Sequence, residues 1–225
     1  LAPDFIAGRI LLNIDSETEG EFTIGCAGGQ DTQISYKLEF SPLEASEQVA
    51  TLSVSGLRGG HSGIDIHKLR ANANQVLARV LFQLTDEFAL RPVSIQGGTA
   101  HNAIARDAAA SIACPSSQFE KLKRQVSRIE NTLQSEYGTV EPDLRVKLDA
   151  DEMKRDIDRA FTPQVAATCL RMLVALPHGP MAMSTEMDDL VETSVNLATI
   201  KTTENTVDIL TSHRSLVASR LTEMS

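Results

Sequence analysis

The sequence has few cysteines and no long apolar run, and each shortage excludes a class of protein. Three cysteines occur in 225 residues, Cys26, Cys114 and Cys169, and no two of them form a CxxC pair. Cysteines so far apart do not predict a disulfide framework or a structural zinc knuckle. We therefore expect a reducing, cytoplasmic environment. No apolar run is long enough to span a bilayer.

Basic side chains are also fewer than acidic ones. The chain has 30 acidic and 21 basic side chains, which gives a formal net charge of -9. We therefore expect no nucleic-acid partner and no binding to an anionic membrane surface. The first residues, Leu1-Ala2-Pro3-Asp4, lack the basic region of a signal peptide. The chain also begins without Met, which we interpret as a sign of a piece of a longer protein.

What the sequence does contain is a regular alternation of two kinds of pattern. Apolar residues at every second position predict strands with one exposed face at 30–40, 49–57, 93–96, 104–113 and 144–148, and a hairpin at 190–201 and 206–212. Apolar residues three and four apart predict helices at 65–84, 116–137, 163–176 and 215–224.

The order strand, helix, strand, strand, helix occurs twice, over residues 47–137 and 143–225. Repeated βαββα units predict an α+β fold with a mostly antiparallel sheet and helices on one face. A complete second unit would have one more strand. We therefore expect the chain to be truncated at its C-terminal end.

A glycine-rich loop, Gly59-Gly60-His61-Ser62-Gly63, joins a predicted strand to a predicted helix. Glycines allow the backbone to approach a ligand closely, and a helix start offers N–H groups to anions. A histidine in such a loop is able to donate a hydrogen bond at neutral pH. The same pattern also fits a glycine-rich turn with a histidine that faces solvent.

The residues around this loop resemble the lid domain of the aminoacyl-histidine dipeptidases, the Xaa-His dipeptidases of the M20 family of zinc peptidases. Gly97-Gly98-Thr99-Ala100-His101-Asn102-Ala103-Ile104 is similar to a GG-x-x-x-N-A-I element of that family. Other similar stretches follow in the family's order: 13–17, 25–29, 57–63, 66–67, 72–74, 190–194, 196–197 and 214–215. The resemblance covers nearly the whole chain.

The resemblance implies a domain organisation and an activity. Residues 1–28 would be the end of a zinc-binding catalytic domain, and residues 29–225 a lid made of the two units. The complete protein would use two zinc ions to hydrolyse Xaa-His dipeptides such as carnosine, and this piece alone would be inactive and hold no metal stably. A dipeptide substrate and a homodimer formed through the lid are the partners that the resemblance implies.

It also implies four site residues. His61 would stabilise the oxyanion, Asn102 would hold the substrate, Arg214 would clamp its carboxylate, and Asp15 would bind zinc. The residues alone leave simpler alternatives open. Asn102 fits a turn after two glycines, Arg214 a surface cation at a strand end, and Asp15 a turn residue or helix cap.

Two other functional interpretations fit the same sequence. One is another M20 peptidase, of the tripeptidase or carboxypeptidase type. The other is a non-catalytic dimerisation or binding module whose glycine loops are only structural. The chain departs from the family pattern at Ala105-Arg106-Asp107, where Pro-Arg-Glu is usual, and at His213, where an apolar residue is commoner. Both departures leave the preference for one substrate open.

Overall fold

A computed structural model of the protein describes residues 8–10, 19–20, 25–150 and 157–225. The strands of this part are β1 Gly28–Lys37, β2 Phe40–Pro42, β3 Glu47–Ser55, β4 Gly60–His61, β5 Arg91–Gly97, β6 Ala103–Ile104, β7 Ala108–Pro115, β8 Arg145–Ala150, β9 Arg159–Phe161, β10 Gly179–Met183, β11 Val191–Thr202 and β12 Thr206–Ser215. Its α-helices are α1 Ala73–Thr85, α2 Phe119–Tyr137, α3 Pro163–Ala175 and α4 Ala218–Glu223. The predicted α+β class is confirmed.

One large antiparallel sheet organises the molecule. Its strands lie in the order β1-β12-β11-β5-β7-β3-β8, and β10 pairs with β11 beside this path. Two short ladders, β2 with β9 and β4 with β6, lie outside the sheet. The second of these ladders joins the glycine-rich loop to the segment that contains Asn102.

The alternation within the strands explains why one face of the sheet is covered. In β3, Leu52 pairs with Ala110 of β7 on one side and with Leu148 of β8 on the other. All three side chains are buried, whereas the neighbouring Ser53 and Lys147 are not. Period-two side chains point to opposite faces, so the apolar set meets the helices and the polar set meets solvent.

Helices α1, α2 and α3 form the covering layer, and α1 contacts both of the others. The first helix also packs against β3, β5, β7 and β11, and it buries Leu77 and Leu81 completely. Each such leucine contributes roughly 1.5–3 kcal/mol by leaving water. No helix of the described part is long and apolar enough to cross a membrane.

The sheet has two parts, β1-β12-β11 and β5-β7-β3-β8, and the joint between them is the short pairing of β11 with β5. Strands β5 and β11 share two paired positions, Ile200 with Gly97 and Lys201 with Gln96. The strand predicted to open the second unit, β8, pairs with β3 rather than with β11 or β12. The predicted units 47–137 and 143–225 therefore do not correspond to two separate blocks of neighbouring strands. The domain division, including the boundary at residue 28, stays a prediction.

The first predicted helix begins later than expected. Residues 66–68 form a short 3-10 turn, Leu69 has a left-handed backbone with φ 51°, and α1 begins at Ala73. Asn72 is the N-cap, because its side chain accepts hydrogen bonds from the N–H groups of Asn74 and Gln75. The predicted helix 65–84 is thus shorter, and the residues before it belong to the loop that follows the glycine-rich stretch.

Candidate functional site

The loop that contains His61 requires glycine at its start. Gly59 and Gly60 have φ values of +61° and +143°, which side chains rarely adopt. A Cβ at Gly60 would lie 2.6 Å from both Arg70 Nη1 and Asp65 Oδ2. The loop then pairs with β6, where His61 lies opposite Ala103. The glycines thus let the chain turn sharply and place His61 beside the Asn102 segment.

Hydrogen bonds orient the imidazole of His61. Its Nδ1 accepts from the backbone N–H groups of Gly63 and Ile64, at 3.2 Å each. A nitrogen that accepts two hydrogen bonds carries no proton, so this network assigns the ring proton to Nε2. Among the described residues Nε2 has no partner of its own. The ring therefore presents an N–H donor away from its own loop.

Asp65 holds the loop together from within. Its carboxylate accepts the backbone N–H of His61 at 2.9 Å and pairs with Lys68 at 2.6 Å and Arg70 at 3.7 Å. The hydrogen bond from Lys68, followed by that from the His61 N–H, lowers the pKa of Asp65. Arg70 also donates to the carbonyl of Gly59. Both ends of the turn around His61 are therefore tied to one carboxylate.

Asn102 lies on a segment whose backbone carbonyls are already bonded. The N–H of Ser62 donates to the carbonyl of Asn102 at 2.8 Å. The side-chain amide of Asn196, on β11, donates to the carbonyls of His101 and Ala103 at 3.3 and 2.9 Å. The side-chain amide of Asn102 has no hydrogen-bond partner in the described ranges. It is held in place by its backbone and left able to bind a ligand.

Arg214 reaches the same place from β12. Its backbone lies between Ser194 of β11 and Gly29 of β1. A Cβ built on Gly63 would lie 3.0 Å from Cζ and Nη1 of Arg214, so the guanidinium rests directly against the loop. No described residue forms an ion pair or hydrogen bond with this guanidinium, and its Nε is buried. A partly buried cation without an anion is costly, and a carboxylate would relieve that cost.

These contacts bring three of the four predicted site residues into one loop cluster. His61, Asn102 and Arg214 contribute an imidazole N–H, an amide and a guanidinium, which together suit a ligand rich in carbonyl and carboxylate oxygens. Asp15, the fourth, lies outside the described residues. The roles assigned to all four residues stay predictions.

Comparisons with known proteins show what the chain is similar to. Residues 52–141 match the family model of the M20 peptidase dimerisation domain. The chain is 36% identical over 219 residues to the cytosol non-specific dipeptidase of Escherichia coli (strain K12), covering 97% of this chain and 44% of that protein.

A solved structure gives the same result for the fold. The crystal structure of aminoacylhistidine dipeptidase from Vibrio alginolyticus matches 98% of this chain with a TM-score of 0.88 and 36% identity. The match covers 44% of that protein, so the chain spans less than half the length of each relative. The predicted resemblance to the M20 dipeptidases is confirmed.

Behind the loop cluster lies a polar network that the sequence analysis missed. The side-chain amide of Asn72 donates to the carbonyl of Leu197 at 2.9 Å and lies 3.3 Å from Nδ1 of His178. Burial lowers the pKa of His178 to about 4. Asn72 and Asn196 both fall in the stretches that carry the resemblance. No spacing rule pairs side chains 124 positions apart.

His213 lies beside Arg214 in the sequence but turns to the other face of β12. Its Nε2 lies 2.9 Å from the hydroxyl oxygen of Thr211, and burial lowers its pKa. Its side chain is buried, and Nδ1 has no described partner. The sequence analysis noted His213 as a departure from the family pattern, and the structure places this polar side chain at a buried position.

The described part of the chain does not fit a metal centre. Among its residues no group of three or more His, Cys, Asp and Glu side chains is placed to hold a metal ion. Asp15, the predicted zinc ligand, falls outside the described ranges.

Proposed function

We propose that this chain is the lid of an M20 dipeptidase that hydrolyses Xaa-His dipeptides. The proposal is supported by the names of the two relatives, a cytosol non-specific dipeptidase and an aminoacylhistidine dipeptidase. Dependence on two zinc ions and a cytoplasmic location belong to the same proposal. Three side chains of this chain would contribute to catalysis and substrate binding.

His61 acts as the oxyanion donor. When the peptide carbonyl becomes tetrahedral, negative charge develops on its oxygen, and a donor already in position stabilises that charge. The two N–H groups bonded to Nδ1 support this role, because they leave the proton on Nε2 and restrain the ring. A donor that is oriented before the reaction needs no reorganisation in the transition state.

Arg214 and Asn102 bind the substrate's carboxylate end. The observation that carries the proposal is the Arg214 guanidinium, which lies against Gly63 and has no described partner. Arginine offers parallel N–H donors that match the two oxygens of a carboxylate. A substrate with a free C-terminal carboxylate next to its scissile bond would meet Arg214 and His61 together.

A dimerisation module is the second candidate, because the matching family model is described as a dimerisation domain. We propose that the protein forms a homodimer through this domain. The two functions are compatible, since one face can hold a second copy while the loop cluster meets substrate. A purely structural role would leave Arg214 and His61 without effect on turnover.

Steady-state kinetics of the complete protein test the catalytic proposal. We expect β-alanyl-histidine to be cleaved better than its C-terminal amide, which lacks the carboxylate. His61→Ala should lower kcat about 100-fold on both substrates, as expected for a lost oxyanion donor. Arg214→Met should raise KM for the free dipeptide about tenfold or more and leave KM for the amide unchanged.

Arg128→Met is the matched control, because Arg128 is exposed on α2 and far from the loop cluster in the chain. Its kinetics should equal those of the wild type. Turnover of His61→Ala within a few-fold of wild type would reject the oxyanion role. Equal effects of Arg214→Met on the acid and the amide would reject the carboxylate clamp. A preference for tripeptides or acyl amino acids would correct the substrate class.

A further inference from the structure

Glu141 is a fully buried carboxyl group behind the functional loop, with a relative exposure of 0%. It lies in the turn that follows α2, and its backbone N–H donates to the carbonyl of Tyr137 at 2.7 Å. No described residue forms an ion pair with it. A buried carboxyl group without a cation is costly unless hydrogen bonds satisfy its oxygens.

Two backbone N–H groups provide those hydrogen bonds, and they flank the loop of His61. Oε2 accepts from the N–H of Arg58 at 2.8 Å, just before Gly59. Oε1 accepts from the N–H of Ala71 at 3.2 Å, just before the N-cap of α1. One side chain therefore bridges the two ends of the loop, which is also bonded within itself, to β6 and to the carbonyl of Asn102.

The surrounding backbone keeps this bridge close to the sheet. A Cβ on Gly56 would lie 2.8 Å from the carbonyl carbon of Asp143, so the segment that enters the loop runs directly along the turn of Glu141. Gly56 has a φ of +79°, which permits that approach. The carboxyl group thus links the loop to the end of α2 and to the start of β8.

We propose that Glu141 is a positioning residue for His61, on the proposed function described above. The distance between Arg58 and Ala71 sets the shape of the loop between them, and that shape sets where Nε2 of His61 lies. An oxyanion donor must lie within about 2.7–3.1 Å of the charged oxygen. A displacement of about 1 Å can cost about 100-fold in rate.

Glu141→Gln tests this role with the smallest change of shape. The amide replaces one acceptor oxygen by an NH2 group, which then faces a backbone N–H and cannot accept from it. We expect kcat of the complete protein to fall about 10- to 100-fold while KM changes less than about threefold. Hydrogen exchange should become faster at residues 58–71 and stay unchanged in α2.

Glu130→Gln is the matched control. Glu130 also accepts a backbone N–H through its carboxyl group, from Val146 at 3.2 Å, but it lies on α2 and outside the loop. The same substitution there should leave kcat and KM unchanged. A similar loss of kcat in both variants would show that the effect comes from general destabilisation and would overturn the proposal.

A double-mutant cycle with His61→Ala separates positioning from simple structural support. If Glu141 acts through His61, Glu141→Gln should have no further effect on kcat once His61 is alanine. An equal fold-loss in both backgrounds would overturn the positioning role. A normal kcat for His61→Ala alone would instead reject the proposed function. Should Glu141→Gln fail to fold, Glu141→Asp, which reaches only one of the two N–H groups, takes its place in the cycle.

Discussion

At Gly63 the missing side chain makes room for the guanidinium of Arg214. A Cβ there would lie 3.0 Å from Cζ and Nη1 and 3.1 Å from Nε, which is closer than ordinary contact. Gly63 does not have a positive φ, so alanine fits the backbone. In Gly63→Ala we expect Arg214 to shift by a few tenths of an ångström and KM for the dipeptide to rise about 3- to 10-fold.

Gly29→Ala is the control for that substitution. Gly29 pairs with the backbone of Arg214, but a Cβ there would meet only the carbonyl oxygen of His213, at 3.8 Å. Its KM should not change. Thermal unfolding should show both variants within about 1 kcal/mol of the wild type, as expected for surface substitutions. A KM for Gly63→Ala equal to that of Gly29→Ala would disprove the effect of this contact.

Candidate site residues could be named from the sequence, but their surroundings could not. His61, Asn102 and Arg214 stand in stretches whose order resembles a known family. The proton on Nε2 of His61 depends on two backbone N–H groups in a folded loop. The role proposed for Glu141 depends on partners 83 and 70 positions away. Such contacts form only when the strands are paired.

At the scale of elements, two residues compete to cap the first helix, and the choice between them decides where that helix begins. Asp65 and Asn72 are both capable of capping a helix, and the apolar Leu69 fits a helical face. The structure caps the helix with Asn72, whose amide also bonds the carbonyl of Leu197 on β11. Leu69 is then 67% exposed and left-handed. Tertiary contact outweighed the local pattern at this boundary.

Short strands were the other elements that the sequence did not predict. β9 has three residues, and β10 has five with irregular pairing to β11. Neither is long enough to show a clear period of two. The longer hairpin of β11 and β12 was predicted within a few residues at each end, because its alternation extends over ten or more positions.

The contact between Asn72, at the start of α1, and His178, just before β10, should make the stability of the protein depend on pH. Burial lowers the pKa of His178 from 6.5 to about 4. Below pH 6.5, His178 becomes protonated in the unfolded chain but stays neutral in the folded chain. The free energy of unfolding therefore falls as the pH drops. The loss is complete below about pH 4. One group with such a shift accounts for about 3 kcal/mol over that window.

His178→Gln removes the titrating group and keeps a side chain able to accept from Asn72. We expect urea unfolding to show a smaller loss of stability between pH 6.5 and 4 in this variant than in the wild type. His213, whose pKa burial also lowers, is present in both proteins and cancels in the comparison. Identical pH profiles would mean that His178 is not the responsible group.

At the scale of the whole molecule, the class of fold could be predicted and the order of the strands could not. Periodicity is local, and it identified the main strands and helices. The pairing of β1 with β12 joins Gly28 to Ser215, and that of β8 with β3 joins Leu148 to Leu52. Contacts over such distances in the chain leave no trace in a period of two. The two predicted repeats therefore share one sheet in an unexpected order.

The joint between β5 and β11 has few backbone pairs, and the side chain of Thr202 adds hydrogen bonds across it. Its hydroxyl accepts from the N–H of Ile95 at 2.8 Å and donates to the carbonyl of Ile95 at 3.0 Å. Only two residue pairs join β5 to β11 beside it. Thr202→Val keeps the branched shape but leaves both groups of Ile95 unsatisfied, so we expect a loss of about 1–3 kcal/mol.

Thr203→Val provides the comparison, because that hydroxyl bonds only Thr206 in the exposed hairpin turn. It should cost no more than about 0.5 kcal/mol. Urea unfolding should remain a single transition in both variants, since α1 packs across the joint on β3, β5, β7 and β11. Equal midpoints for the two variants would show that the joint depends on helix packing alone. A lower midpoint for Thr202→Val would mean that the two parts of the sheet are joined by hydrogen bonds as well as by the helix above them.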